Sequence, residues 1–290
     1  MEFAFALPDR ADTGGGAGFA YADGMARALR GMGHAAVVHE GEGWSCPASA
    51  IPVVDGLLLP ALMHDIGRLA AQGGVALIHH VLARAGRDAT QRMAVWDAMR
   101  AMLPRLRVVA TSQPVADRLA ADLGITAAVV PPGSDDLPRS PPQDGPCRIL
   151  SVGVLTPRKG HDLLLRALAR LTDVDWSLTI AGAAARDPVH AAHLAALIPE
   201  LGLSHRVRLL PDPDDASLEP LWRDAQLFAL ATRWEGYATA VAVALRRGIP
   251  VVVTQAQGSG AGAMVPPGAG AVCAFDDGPT LSKCLRRLVF

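Results

Sequence analysis

Short apolar runs alternate with amphipathic, helix-length segments along almost the whole chain. In the amino-terminal half these runs are EFAFALP, AAVVHE, VDGLLLPAL, GVALIHHV, RVVATS and TAAVVPPGSDD. They are rich in valine, isoleucine and leucine and end near polar or glycine residues, which is typical of parallel strands buried on both faces. The segments between them, such as FAYADGMARALRGMGHA and VADRLAADLGI, have helical spacing and a glycine stop. The pattern predicts an α/β domain.

The same alternation restarts after a proline-rich segment. Residues 138–146, PRSPPQDGP, contain four prolines and no other apolar side chain, as expected of a linker. Beyond it the predicted strands are CRILSVGVL, WSLTIAG, RVRLLP, LFALAT and IPVVVT, and one of the helices between them is predicted from about Ala238 to Arg247. We therefore predict two Rossmann-like parallel-sheet domains, residues 1–140 and 141–290, that face a cleft in which a ligand binds.

Composition and charge exclude several classes of protein. The 290 residues are half apolar and carry a formal net charge of -1, so no broad basic field favours nucleic acid or an anionic membrane. The four cysteines form no C-x-x-C pair, which argues against a zinc knuckle or a redox dithiol. The amino terminus, MEFAFALPDR, has no basic region and too short an apolar stretch for a signal peptide or a membrane span. We expect a cytoplasmic protein with no transmembrane segment.

Two glycine-containing motifs lie between a predicted strand and a predicted helix. In DTGGGAG, Gly14, Gly15 and Gly16 either let backbone amides approach an anion or a sugar, or form only a tight turn. In VGVLTPRKGHDLL, Arg158 and Lys159 form either a phosphate clamp at a helix start or a solvated turn. Only two of the 27 basic residues are lysines, which favours a site at Lys159.

Three further side chains are candidates for chemistry. Glu235, in the segment EGYATAVAV, lies between a strand and an apolar helix, where an acid either caps the helix or contacts a ligand. His79 and His80 end the strand GVALIHH, at the sheet edge where functional side chains collect. With no cysteine or acid at metal-ligand spacing, they favour contact with an acceptor over a metal site, and we expect no metal.

Taken together, ILSVGVLTPRKGHDLLLRAL, LTIAG and LFALATRWEGYATAVAVALRRGIPVVVT resemble the carboxyl-terminal domain of family 4 of the glycosyltransferases. The amino-terminal half is similar to the same family through DTGGG, LIHH, VVATSQPVADRLAADLGI and VVPPGSDD. This is the large retaining family with the GT-B fold. The resemblance implies a hexosyltransferase-like enzyme that moves a sugar from a nucleotide-diphosphate donor to an acceptor hydroxyl, with retention of configuration and with no metal or cofactor.

The resemblance also implies residue roles. Glu235 would lie against the donor sugar, Lys159 would contact the diphosphate, and His79 or His80 would border the acceptor. The glycines 14–16 would approach the diphosphate or the acceptor from the amino-terminal, acceptor-side domain. The donor-binding positions of the carboxyl-terminal domain would be Arg158, Lys159, Gly182, Gly236, Tyr237, Ala238, Thr239 and Val243.

The sequence departs from the family pattern on the donor side. The second glutamate of the motif, eight positions after the first, is Val243, the usual glycine at 238 is Ala238, and the arginine often found after Gly153 is Val154. The chain also ends soon after the predicted helix TLSKCLRRL, so we expect domain closure to be less well braced.

These departures leave a second reading open, a glycosyltransferase-like protein that binds a nucleotide, a sugar or a partner without turnover. A nicotinamide-dependent dehydrogenase fits the alternation but lacks the glycine fingerprint and the ribose-binding acid.

Overall fold

The computed structural model of the chain divides into two compact units, Met1–Gly133 and Ser134–Phe290. The division lies a few residues before the predicted boundary between residues 140 and 141. Of the predicted site residues, Gly14, Gly15, Gly16 and His80 lie outside the described residues. The structure describes residues 1–9, 17–41, 43–79, 89–133, 137–141, 144–256 and 259–289.

The first unit contains a six-stranded sheet in the order β2-β1-β3-β4-β5-β6, in which every pairing is parallel. Its central strands are almost fully buried, which explains their continuous apolar runs. The strands are β1 (Glu2–Leu7), β2 (Ala35–Glu40), β3 (Ile51–Asp55), β4 (Val75–Ile78), β5 (Arg107–Ala110) and β6 (Ala128–Val129). The α-helices are α1 (Ala17–Gly31), α2 (Ile66–Ala71), α3 (Ala89–Met102) and α4 (Gln113–Leu123).

The predicted strand VDGLLLPAL is wrong in its second part. β3 starts before it and ends at Asp55, and Gly56–Leu58 forms a 3-10 turn. The Asp55 side chain accepts a hydrogen bond from the Leu57 amide at 2.8 Å, which stabilises the turn. The apolar run continues beyond the strand because the leucines that follow pack in the core beside the sheet, where Leu59 is fully buried.

The second unit contains a six-stranded parallel sheet in the order β12-β11-β10-β7-β8-β9. Apolar runs do not predict β12, because this strand at the sheet edge is only partly buried. The strands are β7 (Cys147–Val152), β8 (Trp176–Gly182), β9 (Val207–Pro211), β10 (Leu227–Leu230), β11 (Val251–Gln255) and β12 (Gly270–Ala274). The α-helices are α5 (His161–Leu168), α6 (Pro188–Glu200), α7 (Asp215–Asp224), α8 (Thr239–Arg246) and α9 (Gly278–Val289). The predicted pair of Rossmann-like parallel-sheet domains is confirmed.

Part of the proline-rich segment is attached to the second unit. The Ser140 amide donates to the Arg247 carbonyl at 2.9 Å, and the Ser140 hydroxyl donates to the Trp222 carbonyl at 2.7 Å. Arg247 is itself buried and forms an ion pair with Glu219. This segment therefore lies against the ends of α7 and α8.

Glycines allow the loops at the carboxyl ends of the second sheet to approach one another. A Cβ atom on Gly182 would lie 1.8 Å from the Gly153 carbonyl oxygen, and one on Gly160 would lie 1.8 Å from the Ala231 carbonyl oxygen. Gly160 also has a φ of 64°, a left-handed backbone that disfavours other residues. The close contact of the loops after β7, β8 and β10 thus depends on glycine.

Gly160→Ala is expected to destabilise the second unit more than Gly202→Ala. Both glycines are left-handed, but nothing lies within 4 Å of a Cβ atom at Gly202. The control should lower the free energy of unfolding by about 1 kcal/mol from backbone strain. Gly160→Ala should cost about 1–3 kcal/mol more, from overpacking. Urea unfolding followed by tryptophan fluorescence measures both, and equal losses would contradict the close approach.

Candidate functional site

Two loops of the second unit lie side by side because β7 and β10 are paired, parallel strands. The first contains the 3-10 turn Pro157–Lys159, and the second runs from 231 to 238. The Arg233 amide donates to the Arg158 carbonyl at 2.8 Å, and Arg158 Nη1 donates to the Trp234 carbonyl at 2.8 Å. These hydrogen bonds fix Arg158 of the first loop against the second loop.

The contact between the loops centres on the Glu235 carboxylate, which is buried. Lys159 Nζ lies 2.6 Å from Glu235 Oε1, and Arg158 Nη1 lies 3.0 Å from the same oxygen. The Thr232 hydroxyl is 3.1 Å from it as well. On the backbone, the Glu235 amide donates to Ser259 Oγ at 3.0 Å. Glu235 is therefore held through both its side chain and its main chain, and we call Arg158, Lys159 and Glu235 the charge cluster.

The two cations keep the buried carboxylate ionised. Burial raises the pKa of Glu235, but the charges and hydrogen bonds of Lys159 and Arg158 outweigh it and hold that pKa at about 2. Burial lowers the pKa of Lys159, with Arg158 adding to this effect and Glu235 opposing it. Two basic side chains face one carboxylate, so the cluster carries excess positive charge that favours an anion.

The structure does not support the reading of Glu235 as a helix cap. α8 begins at Thr239 with Ala238 as its N-cap residue, and within the described part of the chain no side chain makes a cap hydrogen bond there. The Glu235 carboxylate faces the basic turn instead of the helix start. Gly236, Tyr237 and Ala238 connect Glu235 to α8. The helix start follows directly on the charge cluster.

Gly153 and His161 help to position the Lys159 side chain. A Cβ atom on Gly153 would lie 3.0 Å from the Lys159 Cδ atom, so the lysine stem crosses this glycine at contact distance. His161 is fully buried, with Nε2 3.3 Å from the Gly153 carbonyl and Nδ1 3.4 Å from Ser151 Oγ. Burial lowers the pKa of His161 to about 4, so it is neutral and donates from Nε2 to the carbonyl.

Two of the three donor-side departures, Ala238 and Val243, lie in apolar surroundings. Ala238 is buried, and Val243 is half-buried on α8, where it packs against an apolar cluster that includes Phe228 and Val241. Val154 is half-buried in the loop after β7. The helix position of the missing second glutamate therefore adjoins the core of the unit.

His79 lies in the first unit, directly after β4. Its Nε2 atom is 3.3 Å from Oδ2 of Asp55, the last residue of β3. The Tyr21 ring meets the imidazole edge to face, with centroids 5.3 Å apart.

Sequence reasoning missed several residues that fix the charge cluster. Thr232 and Ser259 hold Glu235, and Arg233 pairs with Asp162 at 3.3 Å while lying over the Phe275 ring at 4.8 Å. Thr232 and Arg233 lie three and two residues before Glu235, soon after an apolar strand, and this position was a usable signal. Ser259 is 24 residues from Glu235, and no pattern in the sequence links the two.

A cavity of about 370 Å³ lies at the opposite, amino edge of the second sheet, lined in part by Cys147, Asp175 and Gln226. Parallel sheets bind ligands at their carboxyl edge, so we assign this cavity no role. Among the described residues there is no group of three or more His, Cys, Asp or Glu side chains that would hold a metal ion. Likewise, in that part of the chain no helix has the length and apolarity needed to cross a membrane.

The family model of the glycosyl transferases group 1 matches residues 133–289, which is more than half of the chain and includes the entire charge cluster. The chain belongs to this family. The resemblance seen in the sequence is thereby confirmed at the level of the group 1 glycosyltransferases.

Curated relatives match over parts of their length. A D-inositol 3-phosphate glycosyltransferase of Actinosynnema mirum is 30% identical over 235 residues, covering 68% of this chain and 55% of the relative. One from Mycobacterium sp. (strain KMS) is 36% identical over 108 residues, covering 37% and 24%. The mannosylfructose-phosphate synthase of Agrobacterium fabrum is 27% identical, covering 51% and 37%. The chain thus spans between about a quarter and about half of the length of these relatives.

Solved structures show the same fold. Sucrose-phosphate synthase from Thermosynechococcus elongatus superposes with a TM-score of 0.81 at 16% identity, covering 99% of this chain and 90% of that one. Anabaena Alr3699/HepE in complex with UDP-glucose gives 0.73 at 17% identity, covering 99% and 90%. The lipopolysaccharide outer core galactosyltransferase WaaB gives 0.71 at 17% identity, covering 100% and 90%. The chain therefore has the GT-B fold.

Lowering the pH is expected to remove the stabilisation that the ionised Glu235 provides. Because its pKa is depressed from 4.5 to about 2, this stabilisation is complete above about pH 4.5 and is lost as the pH falls towards 2. The loss is on the order of 3 kcal/mol in the free energy of unfolding. Glu235→Gln, which cannot ionise, should be less stable than the wild type at neutral pH and should converge with it in acid.

Urea unfolding at several pH values between 7 and 2 measures this difference. Glu200→Gln, at an exposed position of α6, is the control and should follow the wild type throughout. A constant gap between the wild type and Glu235→Gln at all pH values would contradict the role of the charge cluster.

Proposed function

We propose that the chain is a retaining glycosyltransferase of family 4, which transfers a sugar from a nucleotide-diphosphate donor to an acceptor hydroxyl. The observation that carries the proposal is the charge cluster at the carboxyl ends of β7 and β10, where Lys159 and Arg158 meet Glu235. Membership of the group 1 family supports the reaction class. The names of the relatives, an inositol phosphate glycosyltransferase and a mannosylfructose-phosphate synthase, support it further.

The leaving group of such a reaction is a nucleoside diphosphate, which gains negative charge as the glycosidic bond breaks. Lys159 and Arg158 are positioned to stabilise that charge, since both are fixed and partly or largely removed from water. The amides that open α8 at Thr239 add the positive end of the helix dipole. Gly236, Tyr237 and Ala238 would line the path from the diphosphate to the sugar.

Glu235 acts in this proposal as an anion and not as a proton donor. A carboxyl group with a pKa of about 2 is ionised at neutral pH, so it accepts hydrogen bonds from sugar hydroxyls. It also holds Lys159 and Arg158 in place. On the acceptor side, His79 borders the hydroxyl that is glycosylated. No metal or other cofactor takes part, because cationic side chains supply the charge.

A non-catalytic protein that binds a nucleotide, a sugar or a partner is the second candidate. Its support is the packing of Val243, an apolar side chain against an apolar cluster where the family motif places a ribose-binding glutamate. Ala238 and Val154 add to this support. A buried ribose left without hydrogen-bond partners would cost about 1–3 kcal/mol of donor affinity.

Lys159→Ala is expected to weaken the binding of UDP and of inorganic pyrophosphate. One charge-assisted contact to phosphate contributes about 1.5–3 kcal/mol, so Kd should rise by a factor of about 10–100. Lys283→Ala is the matched control, because Lys283 is the other lysine of the chain and is exposed on α9. Calorimetric titration of the three proteins measures the effect. Equal affinities for wild type and Lys159→Ala would refute the phosphate assignment.

Val243→Glu is expected to tighten nucleotide binding if the ribose follows the family pose. The new carboxylate would accept hydrogen bonds from the two ribose hydroxyls, each worth about 1.5–3 kcal/mol before dehydration is subtracted. The net gain is smaller, because the carboxylate enters apolar surroundings. Titration with uridine, guanosine and adenosine diphosphates measures the change.

Val189→Glu serves as the control for this substitution, since Val189 is 82% exposed on α6. It should leave all three affinities unchanged. If Val243→Glu tightens none of them although it is folded, the ribose lies elsewhere or no nucleotide binds, and the non-catalytic function becomes the better one.

A further inference from the structure

A second buried carboxylate, Asp55, lies in the first unit and divides its two oxygens between different partners. Oδ1 accepts the Leu57 amide at 2.8 Å and thereby stabilises the 3-10 turn after β3. Oδ2 lies 3.3 Å from Nε2 of His79. Asp55 is only 4% exposed, so each of its two oxygens needs a polar partner, and the turn supplies one for Oδ1 alone.

The topology of the sheet explains why these two side chains meet. β3 and β4 are paired, parallel neighbours, Asp55 ends the first and His79 follows the second. β5 pairs with β4 on its other side, and the hydroxyl of Thr111, the residue after β5, lies 3.3 Å from the His79 carbonyl. The pair therefore occupies the carboxyl edge of the sheet, where α/β proteins place functional groups.

The imidazole is held on a further side by Tyr21 of α1. The two rings are nearly perpendicular, at 89°, with centroids 5.3 Å apart. The tyrosine is itself fixed, because its hydroxyl donates to the Val130 carbonyl at 2.7 Å, and burial raises its pKa to about 12. Tyr21 thus remains a neutral wall against which the His79 ring packs.

The two nitrogens of the His79 ring have different surroundings. Nε2 is inaccessible to solvent and faces Asp55, although the side chain as a whole keeps 14% of its surface exposed. Among the described residues, no hydrogen bond engages Nδ1. The contact of Nε2 with Asp55 is looser than an aligned hydrogen bond, and such contacts in catalytic sites commonly tighten on substrate binding.

We infer that Asp55 is a positioning residue, which holds His79 in the tautomer with the proton on Nε2 so that Nδ1 accepts a hydrogen bond from a substrate hydroxyl. The inference rests on the proposed function in one respect, that the hydroxyl belongs to the acceptor of the sugar. A carboxylate beside one nitrogen of a histidine fixes the role of the other nitrogen. Asp55 therefore acts through His79 and does not touch the substrate.

Asp55→Asn separates the two roles of the carboxylate. The amide oxygen still accepts the Leu57 amide, so the turn is kept. The amide nitrogen can only donate to His79 Nε2, so the proton moves to Nδ1 and the acceptor is lost. Asp277→Asn is the matched control, because Asp277 also accepts a backbone amide, that of Thr280 at 2.9 Å, at the start of α9.

Nitrogen-15 spectra of the histidine side chains measure the tautomer directly, with the His79 signals assigned from their absence in His79→Gln. The wild type and Asp277→Asn should show the Nε2-protonated form, and Asp55→Asn the Nδ1-protonated form. In transfer assays with UDP-glucose and other nucleotide sugars, Asp55→Asn should lower kcat by about 100-fold or more. The KM for the donor and the urea midpoint should stay close to those of the wild type.

The two measurements fail separately. An unchanged His79 tautomer in folded Asp55→Asn overturns the inference, whatever the activity. A switched tautomer with an unchanged kcat also overturns the inference, because the tautomer of His79 then has no effect on the rate of sugar transfer. A switched tautomer in a protein whose wild type turns over no nucleotide sugar refutes the proposed function, while the positioning of His79 by Asp55 stands.

Discussion

The neutralisation of one buried carboxylate by two cations is the interaction on which the second unit's site depends. Glu235 is 5% exposed, and an isolated carboxylate at that depth would take up a proton. The positive charges of Lys159 and Arg158 keep the carboxylate ionised. The Glu235 carboxylate in turn pairs with both basic side chains, which are partly buried. Replacing the group with apolar residues would be no loss to stability in many proteins, so its presence points to a use for the charge.

The charge cluster is possible only because three backbone segments approach unusually closely. Gly160 lies against the Ala231 carbonyl, Gly182 against the Gly153 carbonyl, and the Lys159 stem crosses Gly153. A side chain at any of these glycines would separate the loops and lengthen ion pairs whose strength depends on distance. The geometry of the charge cluster therefore depends on the close packing of these backbone segments. Hydrogen bonds of Arg158 and Arg233 between the two loops stabilise the same arrangement.

Each unit gathers its polar groups in the same place for the same reason. Parallel strands deliver their carboxyl ends to one edge, and the loops that follow them present side chains and helix starts there. In the first unit this edge holds Asp55 and His79, and in the second it holds Glu235 with Lys159. The two pairs differ in electrostatics: the second unites fixed opposite charges, and the first joins a carboxylate to a group that can both donate and accept protons.

The sequence alone determined the two parallel sheets, because buried parallel strands are continuous apolar runs. It also indicated the family and all three residues of the charge cluster, because these residues lie within short motifs. The sequence determined strand boundaries less well. The leucines after Asp55 were predicted to belong to a strand, but they form a 3-10 turn that packs against the core beside the sheet. Only the tertiary structure decided that Glu235 pairs with Lys159 and is not a cap, since the two are 76 residues apart and meet through the pairing of β7 with β10. The contact of Ser259 with Glu235 and the contact of Asp55 with His79 could not be predicted from the sequence for the same physical reason. A contact between distant segments depends on the order of the strands and on how closely the loops approach, and neither of these produces a periodic pattern along the chain.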